Sequence, residues 1–143
     1  MIQVREISAS QAYNIRKDVL RRNIALTEKI KGDFDDNTIH LGVFINNVLV
    51  SVATFLQNDY ELFNGLQYRL AGMATRDDFQ KQGLGRQLIL KSEKILKDKK
   101  VAVVWCNARV VALDFYRKLG FVTKGDEFDI PLIGGHYIMY KEL

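Results

Sequence analysis

Residues 68 to 106 read as strand, glycine-bearing turn, amphipathic helix and strand, and few architectures accept that order. The first run, Tyr68-Arg69-Leu70-Ala71-Gly72-Met73-Ala74-Thr75, is strand-like and largely apolar. Leu84, Leu88, Ser92 and Ile95 then recur at helical spacing, with Lys91, Lys94 and Lys97 turned away. The continuous apolar run Val101-Ala102-Val103-Val104-Trp105-Cys106 follows, as expected of a strand buried on both faces and parallel to its neighbour. The unit is therefore βαβ, with the turn Gln80-Lys81-Gln82-Gly83-Leu84-Gly85 at the C-terminal end of its first strand, where open α/β sheets bind ligands.

The position of that turn gives it a chemistry. A helix starts with backbone N–H groups that lack intrahelical partners, and its dipole puts partial positive charge there, so anionic groups dock on it. Gly83 and Gly85 allow a ligand close to the backbone, and Lys81 and Arg86 add charge suited to a pyrophosphate. The turn lacks the Gly-Lys-Ser/Thr ending of a P-loop, and it lacks the third glycine and acidic ribose ligand of a dinucleotide fold.

The rest of the chain is consistent with one domain spanning residues 1–143. A single proline, Pro131, and the absence of low-complexity or repeated segments leave no linker. The N-terminus alternates like a strand, without the apolar run of a signal peptide or a membrane span, so a cytoplasmic protein with no membrane partner is expected. One cysteine, Cys106, excludes an internal disulfide and suits a reducing compartment. The net charge of +4 invites a nucleic-acid reading, but acidic residues are interleaved and Lys97, Lys99 and Lys100 suit a helix C-terminus.

Ahead of the βαβ unit, Ser8 or Ser10 is expected to cap a helix with Ala12, Ile15, Val19 and Leu20 inward and Arg16, Lys17, Arg21 and Arg22 outward. Thr27 to Asn37, with Gly32, Asp33, Asp35 and Asp36, reads as a surface segment that lines a substrate mouth or carries a short helix. Ile39 to Thr54 alternates about Asn46-Asn47, a hairpin whose turn residues tolerate positive φ. Asn58 to Gly65 is a polar and aromatic loop. Behind the unit, Asn107 is placed to cap a helix carrying Ala108, Val111, Ala112, Phe115 and Leu119 inward and ending at Gly120. A strand from Phe121 and a last strand from His136 to Tyr140 complete a mixed α/β sheet.

Three segments together resemble the GNAT superfamily of N-acetyltransferases. Gln80 to Gly85 matches the family's Gln/Arg-x-x-Gly-x-Gly/Ala signature, which implies binding of the acetyl-CoA pyrophosphate. Met73-Ala74-Thr75 matches the strand whose backbone pairs with the pantetheine arm, and Asn107, Ala112, Tyr116 and Gly120-Phe121 match the stretch closing the acyl pocket. Residues 66 to 143 carry the likeness closely, the front half by order of elements alone. The resemblance implies a single-domain GNAT-like (acyl-CoA N-acyltransferase) fold, α/β, in which a twisted mixed sheet is flanked by helices and the central parallel strands splay apart around the cofactor arm. Its implied cofactor site is Met73, Ala74, Thr75, Gln80, Lys81, Gln82, Gly83, Leu84, Gly85, Arg86, Asn107 and Tyr116. Thr75 stands where the family usually has an aliphatic residue, and no proline follows at Asp77. A homodimer is a family-level expectation.

Acyl transfer from a thioester to an amine needs a neutral amine, a stabilised oxyanion and a proton for the leaving thiolate. Backbone N–H groups beside Met73 and Ala74 would serve the oxyanion by resemblance. Tyr116 is the general-acid candidate, the alternative being a core aromatic. A lysine-like amine is protonated by about 10³-fold at neutral pH, so removing its proton is worth about 4 kcal/mol. His136, Glu61, Asp59 and His40 are the groups available for that, His136 directly or Glu61 through water. Cys106 reads as a small buried hydrophobe rather than a nucleophile. Asn107 caps its helix or bonds the pantetheine amide, Trp105 is core, and Tyr60, Phe63 and Tyr68 line an acceptor pocket or pack. No metal-ligand spacing is present.

The reading is acetyl transfer from acetyl-CoA to a primary amine by direct attack in a ternary complex. A non-catalytic acyl-CoA sensor is the alternative; a nucleic-acid binder would require salt-steep binding indifferent to CoA. The acceptor is left open among small amines, amino acids, polyamines, aminoglycosides and protein lysines, with the acidic run at Asp33, Asp35 and Asp36 a possible lure for cations.

Overall fold

The computed structural model describes residues 1–20 and 30–143, without the side chain of Leu20. Seven strands, β1 (Ile2–Glu6), β2 (Ile39–Ile45), β3 (Val48–Leu56), β4 (Gln67–Thr75), β5 (Val103–Arg109), β6 (Val122–Ile130) and β7 (Gly134–Glu142), form one sheet in the order β1-β2-β3-β4-β5-β7-β6. The helices are α1 (Ala9–Leu20), α2 (Leu84–Asp98) and α3 (Leu113–Lys118). Every pairing is antiparallel except β4 with β5, the parallel pair expected of the βαβ unit.

Local chemistry accounts for the boundaries. Ser8 and Gln11 make a reciprocal capping box at the start of α1, with Gln11 N–H donating to Ser8 Oγ at 3.1 Å and Ser8 N–H to Gln11 Oε1 at 2.9 Å. The β2–β3 turn has Asn46 and Asn47 at φ 50° and 68°, the left-handed pair of a two-residue hairpin. Gly120, at φ 95°, follows the C-cap of α3. Lys141 Nζ donates to Leu119 O at 2.8 Å and pairs with Glu93 at 2.7 Å, so β7 ties the end of α3 to α2.

The larger core lies on the α2 side, where Leu84, Leu88, Ile89 and Leu96 pack on Leu41, Val43, Phe55, Leu70 and Met139. On the opposite face α1 packs Ala12 and Ile15 against Val52 and Ala74. Farther along that face, Val103, Trp105 and Ile138 are covered by Tyr60 and Phe63 of the loop after β3.

The expectations for Arg16 and Asn107 are corrected. Arg16 does not face out: it is 1% exposed and paired with Asp33, itself buried, at 2.6 Å, so the outer charges of α1 and the acidic surface run lose one member each. The expected positions of Arg21, Arg22 and Thr27, and the inward side chain of Leu20, lie outside the described residues. Asn107 caps no helix, because pairing with β7 prolongs β5 to Arg109; Val110–Ala112 forms a 3₁₀ turn and α3 begins at Leu113 with Ala112 in the cap position. Cross-strand pairing thus overrides the capping preference of asparagine, and Ala108 becomes a strand residue.

Candidate active site

The sheet opens between its two parallel strands. Pairing runs from Gln67↔Val103 to Leu70↔Cys106 and stops. One residue beyond, β4 bulges: Thr54 faces Ala71 and Val52 faces Ala74, so Ala53 alone opposes both Gly72 and Met73. Gly72 sits at φ 62°, and a Cβ there would fall 2.6 Å from Arg16 Cδ and 2.9 Å from Ile30 Cδ1. Only glycine satisfies both the backbone and the space. The bulge turns β4 away from β5 while β3 continues to hold it.

A buried polar cluster backs the bulge. Arg16 Nη1 donates to Asp33 Oδ1 at 3.0 Å and to Thr54 Oγ1 at 3.1 Å, and Nη2 donates to Asp33 Oδ2. Ile30 N–H donates to Asp33 Oδ2 at 2.9 Å. His40 Nε2 lies 2.8 Å from Asp33 O and its Nδ1 2.9 Å from Thr54 Oγ1. Because a carbonyl only accepts, His40 carries its proton on Nε2, and Thr54 donates to Nδ1 while accepting from Arg16. Among the described residues Arg16 Nε is the one buried side-chain nitrogen or oxygen left without a partner. His40 is therefore committed to structure, away from the cleft.

On the α2 side a cleft of about 670 Å³ is lined by Met73, Ala74, Thr75, Gln80, Lys81, Gly83, Leu84 and Gly85, among others. Gly83 is the N-cap of α2 at φ 77°, with no side-chain cap, and the first helical bond is Gln87 N–H to Gly83 O at 3.2 Å. The preceding helical N–H groups are thus left for an outside acceptor. A Cβ on Gly83 would meet nothing within 4 Å, whereas one on Gly85 would meet Phe115 Cζ at 3.2 Å and Met73 Sδ at 3.3 Å. Gly83 leaves space for a ligand, and Gly85 lets the helix seat on the side chains below. These features fit a phosphate-bearing group.

Gln80 Nε2 donates to Thr75 O at 3.2 Å and Asp77 Oδ1 at 3.3 Å, so this glutamine braces the turn. Gln82 and Arg86 are exposed beside the cleft, and Lys81 adopts φ 62°. Thr75 Oγ1 lies 2.6 Å from the Ser51 hydroxyl, so the departure from an aliphatic residue is absorbed by a hydroxyl pair.

Met73, Ala112 and Phe115 also line a second cleft, of about 470 Å³, which passes through the opening to the α1 face. Its walls include Cys106, Asn107, Tyr116 and His136. Tyr116 is buried between Phe115 and Phe121, with ring centroids 5.0 and 5.4 Å away. Burial, with the neighbouring Cys106 adding to it, pushes its phenol above the usual value, so it keeps its proton at neutral pH. Burial likewise pushes the Cys106 thiol up to about 12, which leaves almost no thiolate to act as a nucleophile.

His136 is buried on β7 directly opposite Arg109, with Nδ1 2.7 Å from Gly134 O. The carbonyl accepts, so the neutral ring has its lone pair at Nε2.

Glu61 and Asp59 are not brought to the cleft: both are exposed in the loop between β3 and β4 and belong to none of its walls. Tyr60 and Phe63 pack on Trp105 and Tyr140, and Tyr68 donates to Asn37 O at 2.9 Å, so these aromatics are packing. Asp35 and Asp36 face a separate surface hollow. Gly72, Arg16, Arg69 and Arg109 went unremarked as site residues in the sequence. An isolated glycine inside a strand pattern was a readable sign of the bulge.

The matches to known proteins follow the same lines. A family profile for the acetyltransferase (GNAT) domain matches residues 4–130. The chain is 41% identical over 145 residues to an uncharacterized N-acetyltransferase, YitI of Bacillus subtilis (strain 168), with 100% of this chain and 97% of the relative covered. Escherichia coli ElaA has the same fold, with a TM-score of 0.82 at 20% identity over 99% of this chain and 100% of that one. So does PaiA N-acetyltransferase from Thermoplasma acidophilum in complex with coenzyme A, with a TM-score of 0.70 at 17% identity over 100% and 99%. No helix among the described residues is long and apolar enough to cross a membrane. With the family profile spanning most of its length and a close relative aligned end to end, the chain belongs to the GNAT superfamily of N-acetyltransferases.

Proposed function

We propose that the protein transfers an acetyl group from acetyl-CoA directly to a primary amine, both substrates being bound at once. The observation that carries this reading is the through-going opening: a helix N-terminus free for phosphates on one side, the His136 imidazole on the other, and a buried tyrosine between them. A solved neighbour of the same fold is in complex with coenzyme A, which supports coenzyme A as the carrier of the acyl group.

Acetyl-CoA supplies the activated acyl group as a thioester. The N–H groups at the start of α2, with Lys81, hold its phosphates. The part of β4 beyond the bulge, Met73 to Thr75, has no β5 residue paired to it and offers backbone to the pantetheine arm and the thioester oxygen. Asn107, exposed on the cleft wall, donates its amide to the same arm. His136 accepts the amine proton at Nε2 while Gly134 O holds Nδ1–H, and Tyr116 delivers its phenolic proton to the leaving sulfur. Cys106, protonated, takes no covalent part, which is why direct transfer is preferred to an acyl-enzyme.

The test is Tyr116→Phe. Turnover is expected to fall by about 10²-fold or more, the usual range for losing a general acid, with acetyl-CoA affinity retained in calorimetry. Because the Tyr116 pKa is raised, the wild-type rate should show no loss of this acid at or below pH 10.0, its ordinary value. A variant turning over at the wild-type rate removes Tyr116 from the mechanism. A wild-type protein that binds acetyl-CoA and acetylates no amine would point to a sensor.

A further inference from the structure

The α1-side cleft has an unbalanced charge. Arg69 lines it from β4 and Arg109 from β5, on the sheet face that also carries Asn107 and His136. No described Asp or Glu lines the same cleft. The ion pairs among the described residues are Arg16–Asp33, Arg76–Asp18, Arg117–Asp114 and Lys141–Glu93, and none of them uses Arg69 or Arg109. Glu127 Oε2 lies where a side chain on Gly135 would stand, next to His136, without pairing with either arginine.

Arg69 is the more telling of the two. It is half-buried, enough that desolvation lowers its pKa, yet its one hydrogen bond is Nε–H to Asn58 Oδ1 at 3.0 Å. Asn58 is itself fixed, its carbonyl accepting from Trp105 Nε1 at 3.0 Å. This bond orients the guanidinium and leaves its two terminal NH₂ groups for another acceptor. A partly desolvated cation without a counter-ion is costly, and proteins normally supply one. The forked geometry of a guanidinium matches a carboxylate or phosphate.

We infer that the acceptor is a small primary amine carrying its own anionic group, a carboxylate or a phosphate, which docks on Arg69 and Arg109 and so directs its amine toward His136. This rests on the acetyl-transfer reading above and narrows it: polyamines and aminoglycosides, which bring only positive charge, are selected against. The acidic run that suggested a cationic acceptor does not contribute, since Asp33 is consumed by Arg16 and Asp35 and Asp36 line another hollow.

The experiment compares amines that differ in the anionic group: 4-aminobutyrate with butylamine, and phosphoethanolamine with ethanolamine, plus spermidine as the polycation. Acetyl-CoA binding is measured first by calorimetry, and its absence would sink the acetyl-transfer reading itself. With binding established, at least one anionic amine should exceed its neutral twin by about tenfold or more in kcat/KM, mainly through KM, the scale of a charge-assisted hydrogen-bond pair. Whichever pair shows the preference separates carboxylate from phosphate. Arg69→Gln and Arg109→Gln should each shrink that ratio, and Arg69→Lys should restore part of it. Anionic amines accepted no better than their neutral twins, or spermidine accepted best, would overturn the inference and leave acetyl-CoA binding standing.

Discussion

On the α2 side of the sheet opening, recognition under the proposed function is made of main chain: an uncapped helix start, a left-handed glycine with open space above it, and a strand freed from its neighbour by a bulge. On the α1 side it is made of side chains drawn from across the sequence, Arg69, Arg109 and His136 in the cleft, while Arg16, Asp33, His40 and Thr54 behind the bulge are structural support. Under the proposed function the first wall binds the cofactor that the family shares, and its parts lie within a short span of chain. The second draws Arg109 and His136 from β5 and β7, and shares β4 with the first through Arg69. On that reading a shared cofactor and a private acceptor are served by largely different kinds of construction, main chain and side chain, joined at β4.

The sharpest way to break that contrast is to attack the buried charge. Asp33→Asn leaves the Arg16 guanidinium, 1% exposed, without its carboxylate, and an uncompensated buried charge of this kind costs about 3–5 kcal/mol. The midpoint of urea unfolding should fall accordingly. The double variant Arg16→Met/Asp33→Leu should recover much of the loss, since it removes both charges together. A loss under about 1 kcal/mol for Asp33→Asn would mean that this side is not held by its ion pair, and the surface value usual for exposed pairs would apply instead.

A smaller effect is expected on the other wall, in binding rather than in folding. Gly83→Asp places a carboxylate and a Cβ in the open space at the N-cap of α2, at a φ of 77° that strains any L-residue. Acetyl-CoA affinity, read by calorimetry, should fall by at least about tenfold, because like charge now faces the phosphates. An unchanged affinity would separate the glycine turn from the cofactor and move the phosphate site elsewhere.

The same division decided what could be read in advance. The βαβ unit, the cradle and the hairpin turn at Asn46-Asn47 depend on local backbone preferences, and these are written in consecutive residues. Arg16 was misread because helical periodicity assigns a charged residue to the outer face. Its burial depends on Asp33, 17 residues away, and on the gap that Gly72 leaves on another strand. Asn107 was misread because asparagine before an apolar helical pattern fits a cap, while the register that extends β5 is set by β7, far along the chain. Glu61 had the right chemistry in the wrong place, since a loop's composition does not say which end of a strand it covers.

The mildest change tests the seam between the two walls. Cys106 ends the paired stretch of β4 and β5, and its side chain lies in the α2-side core beside Tyr116. Cys106→Ala should cost about 1 kcal/mol at neutral pH, the price of a small buried group, and leave turnover within a few-fold. The dependence on pH is more informative. Burial raises the thiol from 9.0 to about 12 in the folded protein, so its contribution to stability is complete below pH 9.0 and is lost as pH rises toward 12. Tyr116, also raised by burial and further by charge on Cys106, adds a loss of the same sign from pH 10.0 upward. The variant lacks the first of these losses and is relieved of the second cause acting on Tyr116. Its stability deficit should therefore narrow above pH 9.0 and reverse before pH 12, the urea midpoints of the variant crossing those of the wild type. A deficit that stayed constant would mean that the thiol ionises as freely in the folded protein as in the unfolded chain, and that water reaches the point where the two strands part.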